Sequence, residues 1–174
     1  MVDEQDNETG IMEKLQAHVE GRLHRAISVF VYNTHGELLL QRRAAGKYHS
    51  ANLWTNTCCS HPKPGEETLA AAHRRIKEEM GMECELINVF SFTYLAKLEN
   101  GLTEHEFDHV FFGFSDDLPI INKEEVKAFS YLSMADLRKE LLLKPEAYTE
   151  WLKICFGRVV EKFNAYQPNV GLDH

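Results

Sequence analysis

The segment 103–114 places the strongest constraint on how this chain can fold. It reads TEHEFDHVFFGF, so that carboxylates occupy alternate positions at Glu104, Glu106 and Asp108 before an apolar run begins. Alternate side chains of a β-strand share a face, and the apolar end places this strand in the body of a sheet. Carboxylates buried there need a metal ion or a basic partner. Taken alone, the segment equally fits an exposed strand with a solvated acidic face.

Strand and helix patterns surround this segment. Strands are predicted at residues 26–32, 37–41, 89–98, 103–114 and 128–132. Helices are predicted at 66–80, ending at Gly81, then after a capping box of Ser133 and Asp136, and finally from Pro145 onward. Hairpins outnumber βαβ units, which indicates an α+β fold with a mixed β-sheet flanked by helices. We expect one domain over 1–174, with residues 1–10 loosely ordered.

Composition narrows the class of protein. A chain of 174 residues with 44% hydrophobic residues can bury a core, and its net charge of −8 argues against nucleic acid or an anionic membrane as partner. No apolar run approaches the roughly 20 residues that cross a bilayer. The start MVDEQDNETG is unlike a signal peptide, and the four cysteines show no disulfide or zinc spacing. We therefore expect a cytoplasmic protein.

The long segment 42–64 contains the motif Cys58-Cys59-Ser60-His61-Pro62. Loops of this length are usually functional. Pro62 favours an extended His61, which would put Cys59 and His61 on one side and Cys58 on the other. A thiol beside a histidine and a metal ion is expected to have a lowered pKa and can transfer protons. The alternative is that Cys59 is an inert packed residue.

Two further histidines, His18 and His24, are six residues apart. In a continuous helix they would lie on different faces, so they converge only if the chain bends between them, which Gly21 permits. Three histidines and two glutamates would suit a borderline divalent ion such as zinc or manganese. Two unrelated surface or core histidines are the alternative.

The predicted helix 66–80 carries both basic and acidic groups. Arg74 with Glu78, and Arg75 with Glu79, are spaced for ion pairs on the helix surface. In a functional interpretation, Glu79 instead binds magnesium and Arg75 binds a diphosphate, since magnesium needs few carboxylates when phosphate oxygens supply the rest.

These residues resemble a known family. The pattern from Glu66 through Arg74 and Glu78-Glu79 to Gly81 resembles the second half of a Nudix box, but Ser60 replaces its opening glycine and Arg75 replaces a metal-binding glutamate. The second replacement disfavours diphosphate hydrolysis. Over residues 11–160 the chain resembles the type 1 isopentenyl-diphosphate isomerases, a branch of the Nudix fold. The motifs that carry the resemblance are LHRA, QRR, WTNTCCSHP, Tyr94 and Glu104-His105-Glu106.

The resemblance implies a role for each candidate residue. The second divalent ion, zinc or manganese, would be bound by His18, His24, His61, Glu104 and Glu106. Magnesium would be bound by Glu79 and the main-chain carbonyl of Cys59. The diphosphate would be neutralised by Lys14, Arg43, Lys47 and Arg75. Proton transfer would fall to Cys59 and Glu106, with Tyr94 assisting, and Trp151 would stabilise a cationic intermediate.

The implied activity is the interconversion of isopentenyl and dimethylallyl diphosphate in isoprenoid biosynthesis, by a monomer or weak homodimer. A Nudix hydrolase acting on another diphosphate is one alternative. A non-enzymatic metal- or ligand-binding module is the other, although such a module has no need of a proton donor facing an acceptor.

Overall fold

A computed structural model describes residues 1–166, so the last eight residues of the predicted domain lie outside the described part. One mixed sheet of seven strands organises these described residues. The strands are β1 His24–Tyr32, β2 Glu37–Arg43, β3 Trp54–Thr55, β4 Cys58–Ser60, β5 Leu86–Lys97, β6 Thr103–Phe114 and β7 Val126–Ser133. The helices are α1 Lys14–Glu20, α2 Thr68–Met80, α3 Met134–Leu143 and α4 Glu150–Tyr166. The predicted α+β fold is confirmed.

The centre of the sheet is the parallel pair of β1 and β6. Strands follow the order β3-β2-β1-β6-β5, with β4 also paired to β1 and β7 to β2. The register aligns His24 of β1 with Glu106 of β6, and it aligns Ser28 of β1 with Cys59 of β4. Residues that are far apart in sequence are thereby placed side by side at one end of the sheet.

Hydrophobic clusters cover both faces of the sheet. Phe30 and Tyr32 of β1 pack into a cluster with Leu152 of α4, whereas Val29 packs into a second cluster with Ile76 of α2. This alternation follows from the two-residue period of a strand. Cys58 belongs to the α2 cluster, while Cys59 contacts the small cluster around Trp151. The prediction that the two adjacent thiols face opposite sides is confirmed.

Some predicted boundaries are wrong for identifiable reasons. The segment 42–64 contains the short strands β3 and β4. Pro145 begins a separate 3-10 turn, Pro145–Ala147, and α4 starts only at Glu150 because Tyr148 is extended (φ −123°, ψ 149°). By contrast, Ser133 caps α3 by accepting from the Asp136 amide, as predicted. Among residues 1–166, no helix is long and apolar enough to span a bilayer.

The N-terminal ten residues contact β1 and β6 through hydrogen bonds, while their loose ordering stays a prediction. The Met1 amine donates to the Gly10 carbonyl at 2.8 Å, and Val2 is buried. Arg25 of β1 donates through Nε to Asp6 Oδ1 at 2.7 Å. Because Arg25 is distant in sequence, the acidic and polar composition of this segment did not reveal its partner.

Candidate active site

Four of the five residues predicted to bind the second divalent ion converge at one end of the sheet. Their donor atoms all lie within 4.8 Å of one another. Measured from Glu106 Oε1, the Nε2 atoms of the three histidines lie at 2.9 Å for His61, 3.3 Å for His24 and 3.9 Å for His18. The cluster unites α1, β1, β6 and the segment that follows β4.

A bend at Gly21 brings His18 and His24 together. Gly21 ends α1 with φ 63° and ψ 32°, a left-handed conformation that glycine adopts without steric cost. The two imidazole rings consequently lie 5.0 Å apart, centre to centre. His18 and His24 could share a site only if the chain bent between them, and it bends at Gly21.

The orientation of these histidines suits metal binding. Nδ1 of His18 lies 2.7 Å from the Lys14 carbonyl, and Nδ1 of His24 lies 2.7 Å from the Arg22 carbonyl. Carbonyls accept hydrogen bonds, so these contacts assign the N–H to Nδ1 and leave a lone pair on Nε2. Both Nε2 atoms are buried without a hydrogen-bond partner. A divalent cation among them would satisfy both and neutralise Glu106.

Glu104, the fifth predicted ligand, lies in a neighbouring set with His18 and His49. Its Oε1 is 3.7 Å from Nε2 of His49. Tyr94 links the two glutamates, because its hydroxyl lies 2.7 Å from Glu106 Oε2 and 3.0 Å from Glu104 Oε2. Sequence reasoning missed His49, whose only signal was its location in the long segment between β2 and β3.

The two glutamates differ in proton affinity. Burial acts to raise the pKa of Glu106, but the contacts from His24 and His61 outweigh burial and hold this pKa well below its ordinary range. Burial, together with repulsion from the Glu106 charge, raises the pKa of Glu104. The two neighbouring carboxyl groups therefore have pKa values shifted in opposite directions, downward at Glu106 and upward at Glu104.

Cys59 is a neutral thiol held between two hydrogen-bond partners. Its Sγ lies 2.8 Å from Asn56 Oδ1, which accepts the thiol hydrogen, and Trp151 Nε1 donates to the sulfur at 2.9 Å. Burial and the nearby Asp108 carboxyl raise the pKa of the Cys59 thiol. The histidines contact Glu106 rather than the sulfur, and the lowered thiol pKa expected beside a histidine and a metal ion stays a prediction.

Asn56 is a second residue that sequence reasoning missed, although it lies inside the WTNTCCSHP motif. Its Nδ2 donates to the Val29 and Cys58 carbonyls, each at 3.0 Å. Its amide orientation is thereby fixed, and Oδ1 must face the thiol of Cys59. Asn56 is completely buried, so it acts as a rigid support for that thiol.

The four predicted diphosphate-binding groups lie close enough to repel one another. Desolvation of the Lys14 ammonium and repulsion from Lys47 and Arg43 lower the pKa of Lys14. Arg43 donates to the Ser50 and His49 carbonyls, each at 3.2 Å. Lys47 is paired with Glu125. An anion that reached this cluster would relieve the mutual repulsion of its cations.

The charges of α2 are largely satisfied within the protein. Glu79 is buried, accepts from Gln41 Nε2 at 2.8 Å and is paired with Arg75, as the helical spacing predicted. Arg74 reaches Glu78 at 3.2 Å but binds Glu66 more closely, at 2.7 Å. Within residues 1–166, Glu79 belongs to neither donor set, so it lies apart from the histidine cluster.

A narrow cavity of about 30 Å³ connects these groups. Cys59 and Glu106 both line it, together with Trp151 and Arg43. Trp151 is buried, and the Arg43 guanidinium lies 5.2 Å from the centre of its ring. The cavity thus places a thiol, a carboxylate, an aromatic ring and a cation around a common space.

The fold and this site define the chain as a Nudix protein. Residues 22–152 match the family model for the NUDIX domain. A crystal structure from Deinococcus radiodurans superposes with a TM-score of 0.76 at 22% identity, covering 90% of this chain and 95% of that one. A MutT protein from Methanosarcina mazei gives a TM-score of 0.66 at 18% identity, covering 80% and 94%. At these identities the structural likeness supports the fold alone.

Sequence relatives identify the branch of the Nudix family. An isopentenyl-diphosphate Delta-isomerase of Pectobacterium atrosepticum is 52% identical over 96% of this chain and 93% of its own length. Another relative of the same name, from Photobacterium profundum, is 46% identical over 95% of both chains. The chain therefore belongs to the isopentenyl-diphosphate Delta-isomerase family.

Proposed function

We propose that this isomerase interconverts isopentenyl diphosphate and dimethylallyl diphosphate, with Cys59 and Glu106 as its two proton-transferring groups. Family membership supports the reaction, and the site supports the roles of the residues. The observation that carries the proposal is that Cys59 and Glu106 line the same narrow cavity. The two residues come from separate strands, β4 and β6, which the sheet brings to either side of β1.

The reaction requires two proton transfers on opposite faces of the hydrocarbon. One proton is added to the terminal alkene carbon, which leaves a tertiary cation, and another is removed two carbons away to form the new double bond. One group must hold a transferable proton while the other can accept one. A thiol and a carboxyl group can each give or accept a proton, so Cys59 and Glu106 meet this requirement, and their roles exchange when the reaction runs in reverse.

The surroundings of the cavity support a cationic intermediate. The indole of Trp151 offers a negative π-face to a cation. A hydrocarbon bound in the cavity would displace water, which would otherwise capture the cation. Tyr94 lies within hydrogen-bond distance of Glu106 and can relay its proton. Asn56 keeps the Cys59 thiol oriented.

Two kinds of divalent ion enter the proposal. Zinc or manganese would be bound by His18, His24, His61, Glu104 and Glu106, and its positive charge would tune the proton affinity of Glu106. Magnesium would be held by Glu79 and the Cys59 carbonyl against the substrate diphosphate. The diphosphate itself would be neutralised by Lys14, Arg43, Lys47 and Arg75, with Arg75 exchanging its carboxylate partners for phosphate oxygens.

We further propose a single cytoplasmic domain over 1–174 that functions as a monomer or weak homodimer, without nucleic acid or membrane as partner. The net charge of −8 supports the last two points, because both surfaces demand a basic face.

The test is incubation of the protein with isopentenyl diphosphate, magnesium and manganese in deuterated water, followed by NMR. We expect dimethylallyl diphosphate that carries deuterium. Cys59→Ala should reduce turnover by roughly 10²–10⁴-fold. The control is Cys84→Ala, which removes a thiol outside the cavity and should leave turnover unchanged.

Two outcomes would contradict the proposal. Release of phosphate without deuterium exchange would establish the hydrolase alternative. Full turnover by a folded Cys59→Ala protein would show that the thiol is not one of the proton-transferring groups.

A further inference from the structure

His49 stands out as a buried histidine without a function. Only 4% of its surface is exposed. Its main-chain carbonyl accepts from Arg43 Nη2, and its Nδ1 lies 3.2 Å from Ser50 Oγ. The backbone and one ring nitrogen are therefore fixed, which leaves Nε2 directed towards Glu104.

The distance between His49 and Glu104 is informative. At 3.7 Å, Nε2 and Oε1 are too far apart for a hydrogen bond, whose usual N···O limit is about 3.2 Å. Two donors that bind one zinc ion at about 2.1 Å can be separated by up to about 4.2 Å. The separation thus fits a shared cation better than a direct contact. The distances from Glu106 Oε1 to Nε2 of His18 and to Nε2 of His24 are 3.9 Å and 3.3 Å, which also lie below this limit for a shared ion.

His49 is also continuous with the histidine cluster. Its ring stacks on His18 with centres 5.3 Å apart and an interplanar angle of 30°. The donor atoms of His18, His49 and Glu104 lie within 4.8 Å of one another, and all three residues are buried. Nδ1 of His18 is engaged by the Lys14 carbonyl, so its single free nitrogen, Nε2, serves both donor sets. The two sets therefore overlap at one atom.

We propose that His49 is a further donor of the metal centre and binds the ion beside Glu104. His49 thereby explains why Glu104 lies outside the four-residue cluster of His18, His24, His61 and Glu106. Glu106 is the carboxylate faced by His24 and His61, and Glu104 is the carboxylate faced by His49, with His18 common to both donor sets. This inference rests on the proposed metal centre and adds a residue to it.

The proposal is tested by metal affinity rather than by activity. Zinc and manganese affinities are measured by chelator competition on the full-length wild-type protein and on His49→Ala and His49→Gln. The absorption spectrum of the cobalt-loaded proteins reports the donor set. His73→Ala is the matched control because His73 is an exposed histidine on α2. Circular dichroism verifies that each variant is folded.

We expect both His49 variants to bind metal at least about tenfold more weakly and to show an altered cobalt spectrum, whereas His73→Ala matches the wild type. The loss in His49→Ala should be non-additive with that in Glu104→Gln, since the two side chains share one ion. Wild-type affinity and an unchanged spectrum in both His49 variants would overturn this inference alone. A wild-type protein that binds no divalent ion would overturn the proposed centre as well.

Discussion

Helix α2 and strand β6 both carry acidic residues, but they satisfy those charges in different ways. Around α2, Glu66 and Glu79 each face an arginine within hydrogen-bond reach. On β6, Glu104 and Glu106 are buried together and face histidines, two of which have an unpartnered Nε2. Among residues 1–166, the acids around α2 form salt bridges with arginines, whereas Glu104 and Glu106 contact histidines. This difference marks β6 as the strand whose carboxylates could hold a metal ion.

The largest expected effect comes from removing a charge on β6. Glu106→Gln should lower turnover by roughly 10²–10⁴-fold, because it removes both a proton-transferring group and a metal donor. Glu78→Gln on α2 is the matched control, since Glu78 is exposed and should leave turnover nearly unchanged. Steady-state kinetics with isopentenyl diphosphate provide the measurement. Equal losses of turnover in Glu106→Gln and Glu78→Gln would contradict the proposed difference in function between the acids of β6 and those of α2.

Removal of divalent ions should destabilise the protein through the β6 cluster. A ligand at 100 times its dissociation constant stabilises the folded state by about 2.7 kcal/mol. We therefore expect a chelator to lower the midpoint of thermal unfolding of the wild type. The chelator should not change the unfolding midpoint of a His18→Ala, Glu106→Gln double variant. If the midpoint of the double variant fell as much as that of the wild type, the ion would have to bind elsewhere.

The pairing within α2 can be tested by removing its two arginines separately. Arg75→Gln leaves the buried Glu79 with Gln41 alone, which should cost about 1–3 kcal/mol of unfolding free energy. Arg74→Gln should cost less than about 1 kcal/mol, because Glu66 remains partly hydrated. Urea denaturation compares the variants. The comparison would fail if Arg74→Gln proved the more damaging change.

The smallest effect concerns the pH dependence of the Glu66 pair. The Arg74 hydrogen bond lowers the pKa of Glu66 to about 2. Because the folded pKa lies below the unfolded value of 4.5, the contribution of Glu66 is complete above pH 4.5 and is lost as the pH falls towards 2. Glu66→Gln should therefore be less stable than the wild type at pH 6, by under about 1 kcal/mol. The difference should disappear near pH 2, and a gap that widens with acid would contradict this assignment.

Local patterns predicted much of the fold because they depend on neighbouring residues. The bounds of β6 were predicted without error from its alternation and apolar run. The end of α2 at Gly81 followed from the left-handed conformation that glycine accepts there, with φ 63°. The start of α4 was misplaced because the extended Tyr148 precedes it, and the amide of Thr149 donates to the Trp54 carbonyl, a contact between distant segments.

Candidate site residues were harder to predict where their role depends on a partner from another element. Cys59 and Glu106 were identified through a motif, but the hydrogen bond from the Cys59 thiol to Asn56 and the burial that raises its pKa are tertiary effects. His49 carried no motif of its own. Its relation to Glu104 arises only because the segment between β2 and β3 folds over the end of β6.

The sequence alone determined the periodicities, the turns and those candidate site residues that belong to a motif, since each of these is a property of nearby residues. Only the tertiary structure decided which of those side chains share a cavity and which buried charges lack a partner. Proton affinity and metal binding depend on distance and burial, and the parallel pairing of β1 with β6 sets both by bringing His24 level with Glu106.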